Sequence, residues 1–237
     1  TIISCSSPKH VKIFISDICS ERVIFGIEKL GAALTDAGYD VTYKSAEKTG
    51  TDRISIFVGE TGDVNYKKLI EDFDNSQNSP EHQEGFSIQS SDNAIKISGN
   101  DASGALYGCI ELAQRIRAEG KIPEKINITD HPEMAMRGTC VGLQKIVYLP
   151  GRRIYEYPYT PENFPWFYDK DLWIKYLDMM AENRFNTLYL WNGHPFASLV
   201  KLEDYPYAVE VDDATFKMNE EMFSFLTQEA NKRGIWV

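Results

Sequence analysis

Residues 184–196 read RFNTLYLWNGHPF, and this stretch decides the fold of the second half of the chain. Residues 186–190 near its start are typical of a buried strand. The strand then runs directly into Trp191, Asn192, Gly193, His194 and Pro195. A strand that only filled a core would be expected to end in an ordinary turn. An indole ring, an amide and an imidazole at this point indicate instead a surface that contacts a ligand.

The segments on either side of this strand alternate between strand and helix patterns. Residues 136–142, 187–191 and 234–237 have the pattern of buried strands, whereas residues 171–184 and 220–232 carry apolar side chains at helical spacing. Because short turns connect each helix to the next strand, the pattern predicts repeated strand–helix units and a parallel sheet. An α/β architecture is therefore predicted for this half of the chain.

The first half of the chain has a different pattern. Strand patterns occur at residues 11–16, 39–43 and 54–59, a hairpin pattern at 85–98, and helix patterns at 21–37 and 101–118. This order predicts an α+β domain whose sheet carries two helices on one face. We therefore divide the chain into an α+β domain over residues 1–128 and a second domain over residues 129–237.

The charge of the chain argues against one broad class of function. Lys and Arg number 25 against 35 Asp and Glu, which gives a net charge of −10. General nucleic-acid binding needs a basic surface that neutralises phosphates, and no basic cluster occurs in the sequence. No run approaches the roughly 18 apolar residues that a membrane-spanning helix requires. We therefore predict that the protein neither binds nucleic acid nor has a transmembrane segment.

The cysteines and glycines give no sign of a metal or cofactor site. Cys5, Cys19, Cys109 and Cys140 are widely spaced and form no CxxC motif, so neither a metal site nor a disulfide framework is predicted. The glycines between residues 99 and 108 do not form a phosphate-binding loop, because no GxxxxGK motif is present. The sequence thus predicts no metal and no cofactor.

The first residues of the chain bear on localisation. Ile2-Ile3-Ser4-Cys5 resembles the end of a bacterial lipoprotein signal, where small or aliphatic residues precede the cysteine that becomes lipidated. The pattern predicts an exported protein, periplasmic or at the cell surface, with a lipid anchor at Cys5. The alternative is that these residues form a short, frayed strand.

The order of parts resembles that of multidomain glycoside hydrolases. The joint Asp130-His131-Pro132, the segment Met136-Arg137-Gly138 that opens a strand–helix series, and the loop and helix start at residues 98–108 carry the resemblance. The families concerned are the family 20 and family 84 hexosaminidases and the family 67 α-glucuronidases. The resemblance implies that residues 1–128 form a non-catalytic domain like domain 2 of hexosaminidases. It also implies that residues 129–237 form the first βα units of a truncated TIM (β/α)8 barrel.

The chain departs from family 20 at two points. No acidic residue occurs in residues 139–144, and the second strand ends in Trp191-Asn192-Gly193-His194-Pro195 rather than in a His- and Asp-rich sequence. No single family is therefore assigned. The catalytic carboxylates of such barrels lie at the ends of later strands. The resemblance thus implies a parent glycoside hydrolase and a fragment that is inactive by itself, and no catalytic residue is predicted here.

Substrate-binding residues are predicted at the carboxyl-terminal ends of the strands, where barrel enzymes hold their substrates. Trp191 offers an aromatic face to the C–H groups of a sugar, and Asn192, His194 and Gln144 offer donors and acceptors to its hydroxyls. Residues 145–168 contain eight aromatic side chains, among which Tyr155 and Tyr157 are predicted to contact an oligosaccharide or polysaccharide. Arg137 is similar to an arginine that contacts the bound sugar in family 20 enzymes.

Structural alternatives accompany each of these predictions. Trp191 could plug the mouth of a barrel, Arg137 could brace the domain joint with Glu133 or Asp130, and the aromatic loop could be buried packing. At the level of the protein, two other functions stay open: a carbohydrate-binding protein that has lost catalysis, and an α/β domain of unrelated function.

Overall fold

A computed structural model describes residues 9–45, 54–71, 73, 80–142, 158–191 and 195–237. The chain divides into two compact units, residues 1–135 and residues 136–237. The predictions made for Cys5, Gln144, Tyr155, Tyr157, Asn192 and His194 lie outside the described residues.

The described part of the first unit is built on a six-stranded, mostly parallel sheet. Its strands are β1 (His10–Ile15), β2 (Asp40–Ser45), β3 (Ile54–Glu60), β4 (Phe86–Ser91), β5 (Ala94–Gly99) and β6 (Asn127–Asp130). They are arranged in the order β2-β1-β3-β5-β4-β6. β1, β2, β3 and β5 run parallel, whereas β4 pairs antiparallel with both β5 and β6.

Three helices pack against this sheet: α1 (Glu21–Asp36), α2 (Val64–Leu69) and α3 (Ala102–Glu119). α1 and α3 pack against each other at Gly26, where an added Cβ would lie 3.0 Å from the Cα of Leu106. An added Cβ at Gly108 of α3 would lie 2.6 Å from Ile97, which places α3 on the sheet face that carries Ile97. The absence of side chains at these glycines lets the helices approach so closely.

The short helix α2 covers the opposite face, and the sequence pattern did not indicate it. Phe14 and Phe57 alternate along their strands with the residues that face α3, so their side chains point to the opposite face. Their rings stack 4.9 Å apart. They belong to a cluster that includes Tyr66 and Leu69 of α2. The Tyr66 hydroxyl donates a hydrogen bond to the carbonyl oxygen of Ile97 at 2.7 Å. Six residues are too few for a periodic pattern, and packing on the sheet accounts for this helix.

The second unit alternates strands and helices: β7 (Gly138–Gly142), α4 (Lys170–Glu182), β8 (Thr187–Trp191) and α5 (Asp213–Lys232). β7 and β8 are parallel, and Trp236 forms a parallel bridge with Thr187 on the other side of β8. α5 begins at residue 213 rather than at the predicted residue 220. Asp212 caps this earlier start, because its carboxylate accepts a hydrogen bond from the Thr215 amide at 2.7 Å.

Both helices return to the sheet through the same type of joint. Arg184 after α4 and Gly234 after α5 have left-handed backbone conformations, with φ of 58° and 72°. In each case the next amide donates to a carbonyl five residues earlier, Phe185 to Met180 at 2.8 Å and Ile235 to Ala230 at 2.9 Å. This is the Schellman pattern of a helix end, repeated once per strand–helix unit.

The two faces of the β7–β8 pair differ in burial. On one face, Leu188 is buried and the Thr139 hydroxyl lies 2.7 Å from the Tyr176 hydroxyl of α4. Alternate residues point to the other face, where Tyr189 is 59% exposed and Trp191 is 52% exposed. Trp236, the bridge partner of Thr187, is 71% exposed. α4 thus packs on one face of the strands, and the aromatic side chains of the other face are exposed.

A buried ion-pair group joins α4 to the end of α5. Arg233 Nε donates to the Asp178 carboxylate at 2.6 Å, and its Nη1 donates to the Glu229 carboxylate at 2.7 Å. The Arg233 side chain is 6% exposed. Burial acts to raise the pKa of Glu229, but hydrogen bonds and charge from Lys232 and Arg233 outweigh it and hold that pKa below its ordinary value of 4.5.

Gly138→Ala is expected to lower the free energy of unfolding of the second unit by about 2 kcal/mol, because the added Cβ would overlap the Thr187 carbonyl of β8. Gly142→Ala in the same strand is the matched control, since no described residue lies within 4 Å of its added Cβ. The chain's tryptophans all lie in this unit, so urea unfolding followed by tryptophan fluorescence measures it separately. Equal unfolding midpoints for the two variants would contradict the close approach of β7 and β8.

The lowered pKa of Glu229 predicts a specific pH dependence of stability. A carboxylate whose pKa is lowered by folding stabilises the fold above its unfolded pKa, and this contribution is lost as the pH falls through the folded pKa. When the pH falls from about 6 to about 3, the free energy of unfolding is expected to decrease less in Glu229→Gln than in the wild type. Glu221→Gln removes the same charge from an exposed pair on α5 and serves as control. An unchanged pH profile for Glu229→Gln would show that the Arg233 group does not stabilise the unit.

Candidate functional site

The carboxyl-terminal ends of β7 and β8 meet at one edge of the second unit. Gly142, the last residue of β7, is in register with Trp191, the last residue of β8. The predicted residues Asn192 and His194 follow Trp191 directly in the chain, and Gln144 lies two residues after Gly142. Trp191 is therefore the described residue that marks the position of the candidate site.

The Trp191 side chain is half exposed and points to the face of the sheet opposite α4. Trp191 lies two residues after Tyr189 in β8, so both side chains point to the same face of the sheet. The strand register places Trp191 beside Gly142, which has no side chain. An added Cβ at Gly142 would meet nothing within 4 Å among the described residues. An accessible indole face of this kind can stack on the C–H groups of a flat ligand.

Arg137 lies at the other end of the strands, before the first residue of β7. Its Nε donates to the Arg184 carbonyl at 2.8 Å, and its amide donates to the Asn186 side chain at 2.8 Å. Its carbonyl accepts from the amides of Asn186 and Thr187. These contacts fasten the start of β7 to the joint between α4 and β8. Substrate contact by Arg137 stays a prediction.

The described aromatic residues of the first loop are largely core residues. Tyr159, Phe164 and Phe167 are at most 3% exposed. The Tyr159 and Phe167 rings lie 5.3 Å apart, and Phe167 lies 5.4 Å from Phe223 of α5. For these three residues the packing alternative is therefore correct. Their burial against α5 fixes the end of the loop that follows Tyr155 and Tyr157.

The second loop, which follows Trp191 in the chain, carries exposed aromatic side chains. Its described part contains short 3-10 turns at Pro195–Ala197 and Pro206–Ala208. Tyr205 is 53% exposed and Tyr207 is 78% exposed, with their rings 5.9 Å apart in an edge-to-face arrangement. These two tyrosines were not among the predicted site residues. The high aromatic content of residues 196–207 was the feature of the sequence that could have indicated them.

A buried asparagine of α5 connects both loops, and sequence reasoning missed it. The fully buried Asn219 side chain donates through Nδ2 to the carbonyls of Tyr159 at 3.0 Å and Ser198 at 2.8 Å. Its Oδ1 accepts a hydrogen bond from the Tyr168 hydroxyl at 2.5 Å. The Ser198 hydroxyl in turn accepts from the Tyr159 amide at 3.1 Å. We refer to these four residues as the Asn219 junction.

Two acidic residues near these loops, Asp212 and Asp213, have described partners. Asp212 caps α5, and the hydrogen bonds from Thr215 lower the pKa of Asp212. Asp213 lies 3.3 Å from Lys201, with both side chains exposed. Within the described ranges, no three His, Cys, Asp or Glu side chains are grouped as a metal site would require. None of the helices in these ranges combines the length and apolar character needed to cross a bilayer.

Comparison with known proteins relates this architecture to carbohydrate-active enzymes. No family model matches the chain. The chain is similar to the solved structure of a GH138 enzyme targeting pectin rhamnogalacturonan II, with 48% sequence identity and a TM-score of 0.78. The match covers 96% of this chain and 24% of that one, so the chain spans about a quarter of the GH138 enzyme's length.

Two more distant structures share the fold. CpGH84B matches with 16% identity and a TM-score of 0.56, over 97% of this chain and 32% of its own. BtGH115A, a family GH115 4-O-methyl-α-glucuronidase with specificity for decorated arabinogalactans, matches with 16% identity and a TM-score of 0.60, over 97% of this chain and 28% of its own.

These comparisons refine the family resemblance of the sequence. Family 84, which the sequence resembles, is matched only distantly, whereas the 48% identity is to a GH138 enzyme, a family that the sequence analysis did not name. The mixed α/β architecture with its mostly parallel sheet matches glycoside hydrolase domains. The chain is therefore a glycoside hydrolase-like protein.

Proposed function

We propose that this chain is part of a glycoside hydrolase that acts on a pectic polysaccharide of plant cell walls. The observation that carries the proposal is the 48% identity, over 96% of the chain, to a GH138 enzyme targeting pectin rhamnogalacturonan II. The accessible indole of Trp191 at the carboxyl-terminal edge of the parallel strands supports a saccharide ligand. Because the chain corresponds to 24% of that enzyme, the proposed activity is one of the full-length protein.

The second unit is proposed to be the opening part of a (β/α)8 barrel. Its described strands are parallel, with α4 on one face and, on the other, the exposed side chains of Tyr189 and Trp236, which lie further from the carboxyl-terminal edge than Trp191. Exposed aromatic side chains that are neighbours on one sheet face are typical of a surface that another chain element or a ligand covers. Further strands of a closed barrel would cover it and would also pair with the edge of β7 that faces away from β8.

The first unit is proposed to be a non-catalytic domain of the type that precedes such barrels, like domain 2 of hexosaminidases. Its described helices and sheet are held together by aliphatic and aromatic packing on both faces. The acidic residue Asp101 caps α3, with its carboxylate 2.9 Å from the Gly104 amide, and so has a structural role.

Substrate binding is proposed at the edge marked by Trp191, with Asn192, His194, Gln144, Tyr155 and Tyr157 as further contacts. The indole would stack on a sugar ring, and the amides and imidazole would bind its hydroxyls. Glycoside hydrolysis requires two carboxyl groups beside the scissile bond. We expect these groups to come from later strands of the full-length protein, and the isolated chain to be inactive.

The proposal is tested with the full-length protein and oligosaccharides prepared from rhamnogalacturonan II. We expect cleavage by the wild type, a decrease of about tenfold in kcat/KM for Trp191→Ala, and a smaller decrease for Trp191→Phe, which retains an aromatic face. Product analysis by chromatography gives the rates. Tight binding without cleavage would favour a carbohydrate-binding protein. Neither binding nor cleavage across pectic and other plant glycans would rule the proposal out.

Export is proposed on the basis of Ile2-Ile3-Ser4-Cys5 and the extracellular nature of the proposed substrate. We expect the full-length protein, expressed in a bacterium supplied with a radiolabelled fatty acid, to incorporate the label and to fractionate with membranes. Cys5→Ser is expected to abolish the labelling. Cys19→Ser, which removes a different thiol, is the control and is expected to leave the labelling unchanged. Equal labelling of both variants, or no labelling of the wild type, would contradict the anchor.

A further inference from the structure

Asn219 occupies a position in α5 where an apolar residue would be expected. It lies on the buried side of the helix together with Phe216 and Met222, and its side chain is fully inaccessible to solvent. Burying an amide costs free energy unless its donors and acceptor are satisfied. Here Nδ2 donates to two carbonyls and Oδ1 accepts from a hydroxyl, so both ends of the amide have partners.

The partners of Asn219 belong to the two loops that carry the candidate saccharide contacts. Tyr159 lies two residues after Tyr157 in the first loop, and Ser198 lies four residues after His194 in the second. The Tyr159 amide also donates directly to the Ser198 hydroxyl. Within the described residues, the Asn219 junction thus brings the end of the first loop and the start of the second to one point on α5.

The chemistry of the junction allows only one orientation of the amide. Two carbonyl oxygens face one end of the side chain, and a carbonyl oxygen only accepts, so that end is the NH2 group. The opposite end then accepts from the Tyr168 hydroxyl. Burial, together with the negative charge of Glu162, raises the pKa of Tyr168 to about 12, so this hydroxyl retains its proton at physiological pH.

We propose that Asn219 is a positioning residue for saccharide binding, which fixes the spacing between the segment that follows Tyr157 and the segment that follows His194. This inference rests on the proposed function, because it assigns a role to the loops of that site. Two hydrogen bonds from one planar amide hold two backbone carbonyls at a defined separation, which a packed apolar side chain would not do. Preorganised loops bind a ligand without an ordering cost, so loosening them lowers affinity.

The test uses Asn219→Asp, which retains the size and shape of the side chain. A carboxylate would place an acceptor against the carbonyls of Tyr159 and Ser198, so both hydrogen bonds would be lost. We expect the full-length variant to bind rhamnogalacturonan II oligosaccharides about tenfold more weakly by calorimetry, and KM to rise more than kcat falls. Tyr168→Phe, which loses a single hydrogen bond, is expected to have an effect of the same sign and about threefold in size.

Arg233→Met is the control for a general loss of stability. Arg233 is a buried residue that follows the same helix, fourteen residues further along and thus about 21 Å away, and its hydrogen bonds go to α4 and α5. At matched destabilisation, judged by urea unfolding with tryptophan fluorescence, it is expected to leave oligosaccharide affinity within about twofold. Equal losses of affinity in Asn219→Asp and Arg233→Met would overturn the positioning role.

A second measurement separates this inference from the proposed function. Amide hydrogen exchange is expected to rise in residues 158–169 and 195–200 of Asn219→Asp, and not in Arg233→Met, whether or not any sugar binds. Wild-type protein that neither binds nor cleaves any glycan would refute the proposed function, and the exchange data would still decide whether the junction positions the loops. Unchanged exchange in both segments would refute the junction. Should Asn219→Asp fail to fold, Tyr168→Phe provides the same two readouts.

Discussion

Neighbouring side chains of a strand point to opposite faces, so the parallel strands β7 and β8 present two different surfaces. α4 contacts one of these surfaces, on which Leu188 is buried. The other surface carries Tyr189 and Trp191, and both are more than half exposed. The proposal of a barrel, the position of the candidate site and the direction of the indole all depend on this difference between the two faces.

Sequence periodicity predicted the regular elements well, because packing and propensity agree there. The strand at residues 187–191 was predicted with the bounds that the structure has, and α1 and α3 end within about one residue of the prediction. The exceptions have physical causes. α2 is too short to show a period. The first two turns of α5 bury a single apolar side chain, Phe216, so the cap at Asp212, rather than apolar spacing, marks the beginning of that helix.

The candidate site was less accessible to prediction, because its organisation depends on partners that are distant in sequence. Trp191 could be located, since a strand followed by an aromatic residue and a polar turn is visible locally. The roles of Tyr159 and Phe167 could not be separated from those of neighbouring aromatics until their contacts with α5 were known. Asn219 gave no signal at all, because it precedes the helix predicted at residues 220–232 and an isolated asparagine is usually a solvated residue.

The repeated joint at Arg184 and Gly234 has a geometric consequence. Each joint fixes the angle at which the chain passes from a helix to the next strand, and the two joints have the same hydrogen bonds despite different sequences. The way in which each helix meets the following strand is therefore specified by the last turn of that helix, and it does not depend on contacts with distant parts of the chain.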